Sequence, residues 1–99
     1  MSLDLYIDDD HVGNITHNLS PMFAEAGVYE ILWRGEGLRA GDQIEALEDA
    51  RIAMISEPER FRALNPPNGW GSYEVASGFI AIVCIHCRLN PNGILHPWV

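Results

Sequence analysis

The run Phe79-Ile80-Ala81-Ile82-Val83-Cys84-Ile85 constrains this chain more than any other stretch. It is the longest apolar run, about a third of the ~20 residues needed to span a bilayer. It lies inside a segment from Ser72 to Cys87 that reads as one helix. Ser72 is a natural N-cap, and Glu74 sits near the helix N-terminus, where the dipole favours negative charge. The middle of this segment is apolar nearly all round, so the helix has to be covered on most sides. In a chain of 99 residues, close to the common domain size, the remaining segments have to supply that cover. The expectation is therefore a single domain, residues 1–99, built around a central buried helix.

The other segments divide accordingly. Leu3-Asp4-Leu5-Tyr6-Ile7 alternates apolar and polar and reads as a short strand, stopped by Asp8-Asp9-Asp10. A helix starts between Thr16 and Pro21 and is interrupted at Gly27. Val28 to Arg34 resumes as a short helix with Val28, Ile31 and Leu32 on one face, and Gly35-Glu36-Gly37 makes a turn. Ala40 to Ser56 is the clearest amphipathic helix, with Ile44, Leu47, Met54 and Ile55 in one stripe and Asp42, Glu45, Glu48 and Asp49 opposite. Pro58 opens a further helical turn that points Phe61 and Leu64 at the core. Asn65 to Gly71 is a loop dense in turn residues, and Asn90-Pro91-Asn92-Gly93 is a turn. Ile94 to Val99 is a last extended segment that Pro97 confines to a sheet edge. Pairing it with the first strand gives a two-stranded sheet. The fold class expected is α+β, mainly helical with about four helices, with a small antiparallel sheet joining the N- and C-terminal strands.

Charge narrows the function. Fourteen carboxylates face six basic side chains, all arginine, for a formal net charge of −8. That sign opposes direct binding to nucleic acid or to anionic membranes. It suits a basic partner, such as a protein surface that itself grips nucleic acid. Asp42, Glu45 and Asp49 follow spacings of three and four and line one side of their helix. Neighbouring carboxylates there stand about 5 Å apart along the axis, loosely comparable to the roughly 3.4 Å per phosphate on one DNA strand. Glu57 and Glu59 extend the row, while Arg51, Arg60 and Arg62 partly neutralise it; a plain solvated helix face has the same look. The expected partner-binding set is Asp42, Glu45, Glu48, Asp49, Glu57 and Glu59, joined by Asp8, Asp9 and Asp10.

Three other constellations invite chemistry. Cys84-Ile85-His86-Cys87 resembles a metal or redox motif, but zinc needs four ligands and redox pairs sit at helix N-termini; buried cysteines are the simpler reading. His11 and His17 flank the three aspartates, a set of residue types that can act as acid and base or as cation ligands, yet no catalytic or metal-binding spacing accompanies them. An acidic solvated loop with a capping histidine is the reading preferred there. Trp70, between Gly69 and Gly71 and leading into the helix start at Ser72 and Tyr73, offers a stacking platform beside an anion-attracting terminus. That supports an alternative function as a nucleotide-binding sponge; the structural counterpart has Trp70 folding back on the core. No catalytic residue, cofactor or metal is expected, nor a membrane span, and a soluble cytoplasmic protein is the expectation.

Two stretches carry a family likeness: Ile15-Thr16-His17-Asn18-Leu19 running on to Glu25-Ala26-Gly27-Val28-Tyr29 and Leu32-Trp33-Arg34, and Asn65-Pro66-Pro67-Asn68-Gly69-Trp70-Gly71-Ser72-Tyr73-Glu74. Together they resemble a family of small uncharacterised proteins of phages and their bacterial hosts, over the span from Ile15 to Cys87. The family has no assigned activity, so the resemblance transfers no site residue, and His96-Pro97-Trp98 departs from the polar strand it implies. In size and acidity the chain is also similar to anti-CRISPR proteins, among which type I-C inhibitors include acidic examples. That similarity implies a non-catalytic, DNA-mimicking inhibitor that blocks the DNA path of a host interference complex.

Overall fold

A computed structural model describes all residues, Met1–Val99. Strand β1 (Ser2–Ile7) is central in a sheet of order β2-β1-β3, flanked by β2 (Asp10–Thr16) and β3 (Leu95–Trp98), both antiparallel to it. The N- and C-terminal strands pair as expected, with Pro97 on an edge strand where its missing N–H costs no ladder bond. The sheet has three strands and not two. Asp8-Asp9 turns the chain, and β2 returns beside β1. Asp8 takes the left-handed conformation that this turn needs, at φ 53°; aspartate tolerates it because its short polar side chain bonds locally. Here the Asp8 carboxylate accepts from the Ile94 N–H at 3.0 Å, tying the hairpin tip to the turn before β3.

Alternation along β1 sends Leu3, Leu5 and Ile7 into the core and leaves Ser2, Asp4 and Tyr6 on the other face. The apolar face packs on helix α5 (Tyr73–Leu89), which passes so close to β2 that a Cβ on Gly13 would stand 3.1 Å from the Phe79 ring. Ser72 caps α5 as expected, its hydroxyl accepting from the Val75 N–H. Helix α3 (Ala40–Ser56) runs antiparallel to α5, since Met54 meets Tyr73 at one end and Glu48 meets Arg88 at the other. The small helices α1 (Ser20–Glu25), α2 (Tyr29–Arg34) and α4 (Pro58–Arg62) close the remaining sides of the core. The core holds 24 buried apolar residues, and no polar or charged residue is buried with them.

Two details of packing differ from expectation. The buried stripe of α3 is Ala40, Leu47, Ala50 and Met54, with Ile55 exposed. Ile55 lies roughly 100° round the helix from Met54, and the two alanines let α5 come close on the side that is buried. Trp70 does not fold back on the core; it is 69 % exposed. The loop before α5 is held instead by Asn65, whose side-chain oxygen accepts from the Tyr73 N–H at 2.8 Å, and by Asn68, which accepts from the Trp70 N–H at 2.9 Å.

Candidate functional site

All six arginines are spent inside the molecule. Arg34 pairs with Glu30, Arg39 with Asp42, Arg51 and Arg88 with Glu48, Arg60 with Glu25 and Glu57, and Arg62 with Glu59 and Glu74. Asp4 and Glu36 have histidine neighbours, His11 and His96. That leaves Asp8, Asp9, Asp10, Glu45 and Asp49 with no basic side chain within 4.0 Å. All five belong to the acidic set read from the sequence.

The structure therefore divides that set. Glu57 and Glu59 are individually matched by the arginines three residues on, the i,i+3 geometry of neighbours on one helix face. Glu48 does not lie on the exposed side of α3. Its side chain is 15 % exposed, at the seam with α5 between Arg51 and Arg88. Hydrogen bonds from Arg51, then from the Cys84 thiol, hold its carboxyl below the usual range. The reason is angular: Glu48 follows Leu47 by 100°, which puts it at the edge of the buried stripe and not opposite it. Glu45 and Asp49 do face solvent.

Three of the five unmatched acids, Asp8, Asp9 and Asp10, sit at one end of the molecule, and Asp49 lies past the middle of α3. The hairpin tip is bonded to the Asn90–Ile94 turn through Asp8 and Ile94. The first turn of α3 abuts the same turn: the Ala40 N–H donates to the Gly93 carbonyl and the Gly41 N–H to the Pro91 carbonyl, each at 2.8 Å, and Arg39 reaches Asn92. Asp8, Asp9, Asp10, Glu36 and Asp42 thus surround one junction whose only arginine is Arg39. Glu45 follows about 7.5 Å along the helix axis from Ala40. At the other end of α3, Glu25, Glu57, Glu59 and Glu74 meet Arg60 and Arg62, so every carboxylate there has an arginine partner although the carboxylates outnumber the arginines two to one.

Next to the tip, on the sheet face turned away from the core, lies a depression of about 380 Å³ lined by Tyr6, Asp8, Asp9, His96 and Trp98. Register places Tyr6 between His11 and His96, and Asp4 beside Trp98. Trp98 is 72 % exposed. His11 bonds Asp4 at 2.9 Å and sets its ring edge-on to Tyr6, while Asn14 donates to the same carboxylate. These two hydrogen bonds, that from His11 first, hold the Asp4 carboxyl below its ordinary value, so it stays ionised. Carboxylates beside two aromatic faces suit a cationic group, above all a guanidinium, which can stack on a ring and donate to a carboxylate at once. The sequence signal for this site was Trp98 and Tyr6; they went unread because only the strand register brings them beside the aspartates.

The other chemical readings find less. His11 lies near the start of β2 and His17 just past its end, six residues or roughly 20 Å apart, and His17 packs edge-on against Trp33 at 5.8 Å in place of capping a solvated loop. No group of three or more His, Cys, Asp or Glu side chains is placed to hold a metal ion. Burial pushes the Cys84 thiol up to about 12, with the Glu48 carboxylate adding to it, and burial pushes Cys87 up to about 11. Both thiols stay protonated and unreactive near neutral pH. Trp70 borders neither of the two surface depressions; the second, between α3 and α5, is lined by Glu48, Arg51, Ala81, Cys84, Ile85 and Arg88. No helix is long and apolar enough to cross a membrane. The chain matches no family model, no curated protein and no solved structure.

Proposed function

We propose that this protein is a non-catalytic acidic inhibitor that occupies a basic, nucleic-acid-binding surface of a host protein complex, as a phage-encoded anti-defence protein of the anti-CRISPR kind does. The observation that supports the reading is the segregation of charge. Every arginine is internally paired, while Asp8, Asp9, Asp10, Glu45 and Asp49 keep their charge free for a partner. Free carboxylates in this number steer a basic surface into contact and fix its orientation more than they fix the final affinity. Tyr6 and Trp98 supply what charge alone lacks, an aromatic platform on which an arginine of the partner can rest and from which its arrival expels water. The contact region in this reading is the tip and the first turns of α3; Glu48, Glu57 and Glu59 are already satisfied within the chain.

The test uses cells carrying an active type I CRISPR system and a targeted plasmid. Wild-type protein is expected to rescue the plasmid. Asp9→Lys/Asp10→Lys/Glu45→Lys is expected to lose that rescue while melting as wild type does, because all three side chains are exposed and unpaired. Glu57→Lys, at the end where each carboxylate has an arginine partner, is expected to keep it. A triple variant as potent as wild type rules out the charge mechanism. Failure of the wild type to rescue any such plasmid removes this class of target. A partner captured from host lysate should also be released by raised salt and by duplex DNA.

A further inference from the structure

Helix α5 leaves Val75, Gly78, Ile82, Ile85 and Leu89 in water. Their spacing alternates three and four, the repeat of a coiled-coil seam, and the line they form is about 21 Å long. Because α3 runs antiparallel to α5 with Met54 beside Tyr73, its exposed Ile52 and Ile55 extend the same surface alongside the first half of α5. The aliphatic side chains are about half exposed or more, and Leu89 reaches 74 %. Six aliphatic side chains grouped on one face, each about half exposed or more, differ from the singly scattered apolar residues of an ordinary surface. Together with a polar rim, such a face is the usual make-up of a protein interface.

We infer that this face packs against the same face of a second copy. Charge selects that occupant. The rim of the stripe carries Arg51, Arg62 and Arg88, each ion-paired with Glu48, Glu59 or Glu74. Along α5 it is therefore close to neutral in a chain that is otherwise strongly acidic; the one unmatched carboxylate beside the surface is Asp49, a turn before Ile52 on α3. The aspartates of the tip belong to the sheet layer, which packs on the opposite side of α5. Shape selects it as well. With the two α5 helices antiparallel about a two-fold axis level with Val83 and Cys84, Ile82 faces Ile85 of the second copy and Gly78 faces Leu89 of the second copy. The most exposed aliphatic side chain thus meets the one position without a side chain. A Cβ on Gly78 has nothing within 4 Å in its own chain, and no left-handed backbone angle demands glycine there. The notch is open outward and shaped for a knob, and one patch serves both partners, as an isologous contact requires.

Sedimentation equilibrium on the whole chain from about 1 to about 500 μM, a range in which weak dimers of this size form, tests the inference. A reversible dimer is expected, tightened by salt because screening relieves the repulsion of two chains of charge −8. Ile82→Glu/Ile85→Glu is expected to be monomeric with an unchanged far-UV spectrum. Gly78→Phe, which fills the notch without adding charge, should weaken dimerisation at least ~10-fold and decides the matter by itself if the double variant misfolds. A wild type that stays monomeric over the whole range in low and high salt overturns the inference. So does a dimer that Gly78→Phe leaves intact. The sign of the salt effect separates this contact from the acidic one, which salt must weaken.

Discussion

Tyr73 and Pro58 lie on different elements, yet the structure couples their effects on stability. In a helix the carbonyl of residue i accepts from the N–H of residue i+4, and for Met54 that residue is Pro58, which has no N–H. The preceding bond is intact, with the Glu57 N–H donating to the Ala53 carbonyl at 2.9 Å. Met54 is fully buried, so water does not replace the missing donor. The Tyr73 hydroxyl does, at 2.5 Å. Tyr73→Phe should therefore leave a buried carbonyl without a partner, at a cost of about 1–3 kcal/mol. At about 2.1 cal/mol/K per residue, the unfolding entropy of a chain this size makes 1 kcal/mol worth about 5 °C, so the melting temperature should fall by about 5–15 °C. Urea unfolding of the wild type, Tyr73→Phe, Pro58→Ala and the double variant measures the coupling. In the Pro58→Ala background residue 58 has its own N–H to offer, and loss of the hydroxyl should cost less than half as much. Equal costs in both backgrounds refute the assignment of Pro58 as the origin of the orphan carbonyl. A cost under about 0.5 kcal/mol for Tyr73→Phe alone, below that of an ordinary hydrogen bond, refutes the claim that water is excluded.

Two glycines should respond in opposite directions to alanine. At Gly71, with φ 106° and a Cβ that would fall 2.9 Å from Leu19 and 3.0 Å from Thr16, Gly71→Ala should cost about 2 kcal/mol or more in chemical denaturation, the usual scale for a strained backbone combined with overpacking. Gly78→Ala, mid-helix and unobstructed, should gain about 0.5–1 kcal/mol. The cysteines should resist iodoacetamide at pH 8 in the native protein and react at the rate of unfolding, since Cys84 and Cys87 are buried with thiols raised to about 12 and 11. Rapid labelling of the folded chain would show that α5 opens locally.

Much of this architecture was legible because local signals agreed. Ser72 caps α5, Pro58 opens α4, and Pro97 marks an edge strand. In each case one residue type fixes a backbone feature whatever surrounds it. Strand β2 escaped because its register shifts opposite Leu5 and Tyr6. The irregularity puts Val12 and Ile15 both toward the core at a spacing of three, which erases the period-two pattern that identifies a strand. Gly13 removed a further cue, since Phe79 fills the place of its side chain. Trp70 misled for a different reason: aromatic residues are usually buried, and nothing local reveals that Asn65 and Tyr73 had already closed the loop. The acidic residues themselves were plain in the sequence. Which of them are free was legible only in part: Asp42, Glu48, Glu57 and Glu59 each meet an arginine three residues away, a pairing that local spacing suggests, whereas the second partners, Glu25 for Arg60, Glu74 for Arg62 and Arg88 for Glu48, come together only in the tertiary fold.

The unmatched acids also make a prediction about the folded chain alone. Adjacent like charges at Asp8, Asp9 and Asp10 repel, and a fold shaped by stability alone would place a basic residue among them. The six arginines are all committed elsewhere, most of them to carboxylates on helices. Asp9 and Asp10 are exposed, and neither accepts a side-chain hydrogen bond in the way that Asp8 accepts from Ile94. Asp9→Asn/Asp10→Asn therefore removes repulsion and no native contact. The variant should melt a few degrees higher than wild type at about 10 mM salt, where the screening length is roughly 30 Å. The difference should vanish near 1 M, where that length is about 3 Å. A functional site held at the expense of stability behaves in this way, and a loop that merely tolerates its aspartates does so too; they part on binding. If the same double variant gains stability and loses its partner, the charge is kept for the partner. A variant no more stable than wild type in low salt shows that the tip carries no stored repulsion to be relieved, and the case for charge retained at a cost then fails.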